Sequence, residues 1–221
     1  ALLLTILNSF TIRVVKNQPS EIQKKVSILI PMRNEESNVT GCLDSVFNQK
    51  GLMDFEVIAL DDHSTDETAN KLKNYPNLKL LNGTTLPVGW LGKIWACHQL
   101  SKAASGEILV FLDADVRLTE NAVASAITKM HGWNFISPYP KQLSIGLPER
   151  IFQPLLHWSW LSSVPLIISQ KFGIKSMSVA NGQFFVVERE SYEVCGGHEK
   201  IKSEVLDDLA LSKSLLEYGF K

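Results

Sequence analysis

The segment EILVFLDADVRL, residues 107–118, sets an apolar run directly before two carboxylates that are one residue apart. The run predicts a buried strand. Asp113 and Asp115 alternate with Ala114, so in extended backbone both side chains leave the strand end on one side. Like charges that close repel unless a cation or a proton lies between them. An ordinary turn would use Asn-Gly or Asp-Gly, and neither dipeptide occurs in this stretch. The pair asks for a cation.

Working outward, VSILIP (Val26–Pro31) is a largely β-branched run closed by proline and reads as a buried strand. FEVIALDD (Phe55–Asp62) is a second strand and LKLLNG a third, which makes EILVFLDAD the fourth. Between them, NVTGCLDSVFNQ carries Val39, Cys42, Leu43, Val46 and Phe47 at helical spacing. STDETANKLKNY opens with Ser64 and places Glu67 three residues on, the pattern of a capping box. KIWACHQLSKAASG reads as a helix ended by Gly106, and TENAVASAITKM as one with Thr119 at its N-cap. Strand and helix thus alternate from Val26 to about Met130. That alternation predicts an α/β fold, a mostly parallel sheet with helices on both faces. In such sheets a ligand sits beyond the carboxyl ends of the strands, near the point where strand order reverses. Pro31–Glu36, Asp61–Asp62 and Asp113–Asp115 all fall at those ends.

The bulk numbers narrow the classes. With 221 residues and 45% hydrophobic composition, one domain with one good core is the default. Lys plus Arg number 22 against 23 Asp plus Glu, so nothing favours nucleic acid as a partner. Cys42, Cys97 and Cys195 lie far apart with no Cys-x-x-Cys pair, which argues for a reducing compartment and against a thiolate zinc site.

Two segments point to a membrane. ALLLTILNSFTIRVV opens the chain without Met and is too short to cross a bilayer unaided. Residues 1–20 are expected to be the end of an N-terminal membrane helix and a linker, a loosely packed helix being the alternative. Arg13, Lys16, Lys24 and Lys25 follow it, which would place the rest on the cytoplasmic side. Ile151–Gln170 contains no Asp, Glu, Lys or Arg, but Pro154, Pro165, Gln153 and His157 weaken a spanning reading. It is expected to be interfacial or re-entrant, the alternative being a buried helix under the sheet.

Four blocks, VSILIPMRNEESNV, EVIALDDHSTDET, GEILVFLDADVRL and SEVLDDLAL, resemble in order those of family 2 glycosyltransferases, a family with the GT-A (Rossmann-like) fold. LPVGWLGKIWA and NGQFFVVERESYEVCGGH narrow the resemblance to membrane-associated, lipid-directed members near the hopanoid, carotenoid and ceramide glycosyltransferases. The resemblance implies a GT-A domain over residues 21–221. It also implies inverting, metal-dependent transfer from a nucleotide diphosphate sugar, UDP-linked, to a lipid or other membrane-held hydroxyl.

It further implies roles. Asp115 would be the direct ligand of Mg²⁺ or Mn²⁺, while Asp113 contacts the ribose or the metal's water shell. Carboxylate oxygens suit those cations, which stabilise the charge growing on the departing diphosphate. Asp62, supported by Asp61, would accept from the uracil N–H. Pro31, Arg33 and Glu35 match residues lining the nucleotide pocket, though Arg33 reads equally as a surface charge. Lys93 matches a lysine near the nucleotide, and its place at a helix start, where it opposes the helix dipole, favours a ligand role. Asp208 would be the general base, with Asp207 pointing away. His198 reads as a buried structural histidine, the alternative being a residue facing the acceptor.

The family's downstream Gln-x-x-Arg-Trp does not occur before Lys221, so the chain is expected to be truncated. Three rival readings compete. A sugar nucleotidyltransferase needs a Gly-rich loop after the first strand, and PMRNEES has no Gly. A phosphoacceptor domain would place its Lys after the acids, whereas Lys93 precedes them. A catalytically inactive GT-A binding module is disfavoured by the intact Asp115 and Asp208.

Overall fold

The computed structural model describes residues 2–143, 146–172, 174 and 178–221. The strands are β1 (Val26–Met32), β2 (Phe55–Asp61), β3 (Leu78–Asn82), β4 (Ile108–Leu112), β5 (Phe135–Ile136) and β6 (Phe184–Glu188). They form one sheet in the order β3-β2-β1-β4-β6-β5. The first four run parallel, with Val26 opposite both Phe55 and Ile108. The chain builds outward from β1 through β3, then returns to lay β4 on the other side of β1. Strand order therefore reverses between β1 and β4.

β6 departs from the pattern. It runs antiparallel to β4, with Phe185 opposite Phe111, and β5 pairs antiparallel to it in turn. FFVVE follows a long excursion rather than a crossover helix of the preceding kind, so it enters the sheet from the opposite end.

The helices are α1 (Leu2–Thr11), α2 (Val39–Phe47), α3 (Thr68–Leu72), α4 (Gly92–Ala103) and α5 (Ala122–Lys129). They continue as α6 (Leu147–Leu161), α7 (Leu166–Phe172), α8 (Arg189–Val194), α9 (Gly197–Lys200) and α10 (Asp207–Glu217). Alternation along each strand divides the core. Ile28, Ile30, Val57 and Val110 pack with Leu43 and Val46 of α2 and Val123 of α5. Leu29, Ile58, Leu109 and Phe111 pack with Ile94 and Leu100 of α4 and Leu211 of α10. Each fully buried branched side chain contributes about 1.5–3 kcal/mol of transfer free energy. The expected helices-on-both-faces arrangement is what these two layers are.

Local expectations change in three places. Ser64 does not cap α3, which begins at Thr68. Its Oγ instead accepts from the Asn34 N–H at 3.0 Å, while Thr65 N–H donates to Asn34 Oδ1 at 2.8 Å. The loop after β2 is thus bonded to the loop after β1, and that cross-link takes the hydroxyl the capping box would have used. Thr119 does not cap α5 with its side chain; its carbonyl accepts from Ala122 N–H at 3.0 Å and from Gln49 Nε2 at 2.8 Å. Gly106 lies beyond the end of α4 at Ala103 and serves close approach instead. A Cβ there would lie 2.6 Å from Ser27 N and 2.7 Å from Ser27 Oγ, and the Gly106 N–H donates to that Oγ at 2.8 Å.

The segment from residue 151 to 170 is not one long helix, and among its described side chains only Leu166 is buried. It is divided between α6 and α7, with Pro154 inside α6. Phe152 and Leu156 are 62% and 61% exposed. α1 packs against both helices. The side chain of Asn8, fully buried, fixes that packing: its Nδ2 donates to Leu161 O at 2.7 Å and Val164 O at 2.6 Å, and its Oδ1 accepts from Leu166 N–H at 3.0 Å. One amide satisfies the end of α6 and the start of α7 together. Among the described residues no helix is long and apolar enough to cross a membrane.

Gly106→Ala is expected to lower unfolding stability by about 1–3 kcal/mol, since the added methyl meets β1 backbone rather than a side chain that can swing away. Urea unfolding measures it, and an unchanged midpoint would show that β1 gives way easily.

Candidate functional site

Chain reversal between β1 and β4 leaves a crevice at the carboxyl ends of the parallel strands. Pro31, Lys93, Asp113, His198, Asp207 and Asp208 line one small cavity there. Lys93, in the first turn of α4, donates from Nζ to Asp113 Oδ1 at 2.8 Å and lies 3.9 Å from Asp207 Oδ2. Burial works against the lysine's charge, but Asp113 and then Asp207 outweigh it and raise its pKa. Within the protein this ammonium compensates Asp113 and Asp207, and it does not reach Asp115.

Asp113 and Asp115 do not lie in extended backbone. The chain turns after Leu112, with Val116 N–H donating to Asp113 O at 3.2 Å. Asp113 is thereby aimed into the crevice, and the Asp113 N–H is held by Gln183 O at 3.0 Å. Burial raises the Asp113 pKa, an effect that the Lys93 charge opposes and Asp115 adds to. Asp115 is exposed, and its side chain makes no hydrogen bond or ion pair among the described residues.

α10 opens with Asp207 and Asp208, and both side chains face the cavity. Asp207, expected to point away, is instead a partner of Lys93 with a side chain only 19% exposed. Asp208 lies across from Gly182, whose added Cβ would be 3.5 Å from the Asp208 Cβ and 3.6 Å from Lys93 Nζ. Burial raises the Asp208 pKa, Leu209 N–H lowers it at 2.8 Å, and Asp207 raises it again. Two carboxyls with raised pKa beside one lysine in a cleft mark a candidate functional site.

The end of β2 holds a second group. Asp62 sits 3.6 Å from Arg33 Nη1, with Arg33 63% exposed and Asp62 15%. Two glycines flank the carboxylate: a Cβ on Gly83 would lie 2.9 Å from Asp62 Oδ1, and one on Gly92 would lie 3.7 Å from Oδ2. Gly92 is next to Lys93, so the start of α4 joins the two groups. Asp61 is nearly buried, its Oδ1 3.4 Å from the Ser64 N–H that it accepts. Glu35 lies apart from the cavity, its Oε2 accepting from Asn38 Nδ2 at 2.7 Å beside the start of α2. Sequence reading passed over Gly83, Gly92 and Gly182 because nothing but the fold brings them against Asp62 and Asp208.

His198 is buried as expected, and it also lines the cavity. Its Nδ1 lies 2.8 Å from Tyr192 Oη, and burial, followed by the charges of His98 and Lys93, pushes its pKa down to about 3.

Residues 27–196 match the family described as Glycosyl transferase family 2. The chain is similar to the 4,4'-diaponeurosporenoate glycosyltransferase of Staphylococcus haemolyticus, 28% identical over 206 residues that make up 90% of this chain and 53% of that one. It spans about half the length of the curated relatives it matches. Among solved structures it resembles a mannosyltransferase, PcManGT, from Pyrobaculum calidifontis in complex with GDP-Man and Mn²⁺. That likeness has a TM-score of 0.69 at 20% identity and covers 100% of this chain and 60% of the other. S. aureus TarS in complex with UDP matches with a TM-score of 0.57 at 22% identity, over 85% of this chain and 54% of that one. At these identities the likeness is one of fold, the GT-A fold.

The raised pKa of Asp208 gives a testable stability effect. A carboxyl raised in the folded state stabilises it below the unfolded carboxylate value of about 3.9, and that benefit is lost as pH rises through the folded value. At neutral pH the charged Asp208 therefore costs stability. Asp208→Asn should raise Tm at pH 7, with the gain vanishing toward pH 3.5. Thermal unfolding across that range checks it, and a lower Tm at pH 7 would show that Asp208 is net stabilised where it sits.

Proposed function

The chain belongs to glycosyl transferase family 2, and from that membership we propose an inverting, metal-dependent enzyme that moves a sugar from a UDP-linked donor to a membrane-held lipid hydroxyl. The observation that carries the proposal is the cluster of Asp113, Asp207 and Asp208 around Lys93 at the reversal of strand order.

The donor would lie across the ends of β1, β2 and β4. Asp62, between its two glycines, would accept from the base N–H, with Asp61 shaping the turn behind it and Arg33 reaching over from β1. Pro31 would form the crevice wall, Lys93 would meet the diphosphate, and Glu35 would support the β1 loop from behind. UDP in the TarS structure supports this reading of the donor class.

Asp115 and Asp113 would hold Mg²⁺ or Mn²⁺. No cluster of three or more His, Cys, Asp or Glu side chains able to hold a metal occurs among the described residues. One or two carboxylates with the remaining ligands from substrate phosphate is how such hard cations are commonly bound, and the uncommitted Asp115 carboxylate fits that donor set. When bound, the cation would neutralise charge growing on the departing diphosphate. Mn²⁺ in the mannosyltransferase structure supports the choice of metal.

Asp208 would take the proton of the acceptor hydroxyl as its oxygen attacks the anomeric carbon from the side opposite the nucleotide. One displacement of that kind inverts the configuration. A raised carboxyl pKa suits a base that works near neutral pH.

A panel of UDP- and GDP-linked sugars titrated by calorimetry, with Mn²⁺ or with EDTA, tests the donor site. UDP-linked binding that weakens on chelation is expected; equal affinity with EDTA would remove the metal role, and tighter GDP binding would reassign the base. Asp208→Asn should leave donor affinity nearly unchanged while sugar transfer by the full-length protein falls roughly 10²–10⁴-fold. Asp115→Asn should lose metal-dependent donor binding as well. Normal transfer by Asp208→Asn would end its role as base.

The lipid acceptor is supported by the diaponeurosporenoate in the relative's name and by the exposed apolar helices. Residues 1–20 are read as the end of a membrane helix and linker, and α6 with α7 as an interfacial unit beside the acceptor on the cytoplasmic face. Leu155→Glu and Leu156→Glu should each reduce association with liposomes and leave nucleotide binding intact. Undiminished association would place the contact elsewhere.

A further inference from the structure

We propose that His198 offers the bare Nε2 of its ring as a hydrogen-bond acceptor to a hydroxyl of the transferred sugar, in the cavity it shares with Lys93, Asp113 and Asp208. The inference rests on the donor-site reading above and assigns the floor of that site.

Counting hydrogens fixes the tautomer. Ser101 Oγ lies 2.8 Å from His98 O, and a carbonyl only accepts, so the serine hydrogen is committed there. At the 3.1 Å contact between Tyr192 Oη and Ser101 Oγ the phenol must then be the donor. A phenol has one hydrogen, so its two contacts with His198 are both acceptances. The His198 backbone N–H donates to Tyr192 Oη at 3.1 Å, and the ring does so from Nδ1 at 2.8 Å. Nδ1 therefore carries the ring proton and Nε2 carries a lone pair.

His198 lines the cavity, and of its two ring nitrogens Nε2 is the one without a partner among the described residues. The residue is 3% exposed. Among the described residues the sealed side-chain polar atom without a partner is Nη2 of Arg189, so Nε2 is not sealed. Phe111, whose ring centroid is 4.8 Å away in an edge contact, fixes the imidazole plane. Burial keeps the ring neutral across the physiological range, so it accepts without bringing charge.

The rest of the wall explains what that acceptor is for. Asp113, Asp207 and Asp208 supply acceptors, and Lys93 already donates to Asp113 at 2.8 Å. A cavity rimmed by acceptors fits a ligand that brings donors, and a sugar brings several hydroxyls. A bare imidazole nitrogen at its floor would hold one of them and discriminate against a sugar that lacks it.

The test uses the full-length protein with ¹⁵N-labelled histidine, together with UDP-glucose and GDP-mannose and their nucleoside diphosphates. Long-range ¹H–¹⁵N spectra should show Nδ1 protonated and Nε2 bare, and the nucleotide sugar that binds should shift Nε2 while its diphosphate does not. His198→Phe should weaken the nucleotide sugar about 2–10-fold and leave the diphosphate unchanged. An Nε2–H tautomer, or equal responses to sugar nucleotide and diphosphate, overturns the proposal. So does an Nε2 shift that appears only when an acceptor alcohol is added. If neither nucleotide sugar binds, the donor-site reading falls and takes this assignment with it. Should His198→Phe not fold, the two spectra of the unaltered protein decide.

Discussion

The ammonium of Lys93 lets carboxylates from two distant parts of the chain face the same small space. Asp113 arrives at the end of β4 and Asp207 at the start of α10, and both reach Lys93 Nζ. Without a positive charge between them, half-buried acids would repel and shift toward their protonated forms. α4 supplies it from its first turn, a position that the helix dipole disfavours. The cost is offset by the pair of acids, and the geometry that results is the entrance to the site. The N-terminal half of the sheet, which sets where α4 begins, and the C-terminal helix, which brings in the acids, are tied together at this one side chain.

Much of this was legible in the sequence because β1 and β4, at the centre of the sheet, are buried on both faces and so are nearly all apolar. The strand ends were marked by abrupt charge: Pro31–Glu36, Asp61–Asp62 and Asp113–Asp115 all lie where the strands stop. Reading failed where a side chain had a partner far along the chain. Ser64 looks like a cap until Asn34 takes its oxygen, and Gly106 looks like a helix stop until Ser27 comes against it. Asp207 looks like a spare acid because a helical start turns neighbours apart, yet both it and Asp208 line the cavity with Lys93. β6 was missed as an antiparallel strand since its apolar run carries no mark of direction.

The sheet also explains why the site is one crevice rather than three patches. Parallel pairing puts the carboxyl ends of β1, β2, β3 and β4 on one side, and the reversal between β1 and β4 opens a gap there. Gly83, Gly92 and Gly182 keep that gap clear of side chains where it narrows. Lining residues come from strand ends, where position is set by the sheet, from the first turns of α4 and α10, which pack on Leu29, Leu109 and Phe111, and from α9 through His198.

The three bonds of Asn8 lie sealed between α1 and the turn joining α6 to α7, while the outer surfaces of the same helices carry Leu3, Phe10, Phe152 and Leu156. A joint that is polar within and oily without responds to its medium in one direction. In water, competing solvent trims an amide hydrogen bond to roughly 0.5–1.5 kcal/mol, whereas an apolar medium restores it toward about 4–6 kcal/mol. Breaking the clip therefore becomes harder as water is withdrawn. The helices whose outer surfaces carry these apolar side chains would be held together more tightly against hydrocarbon than in water.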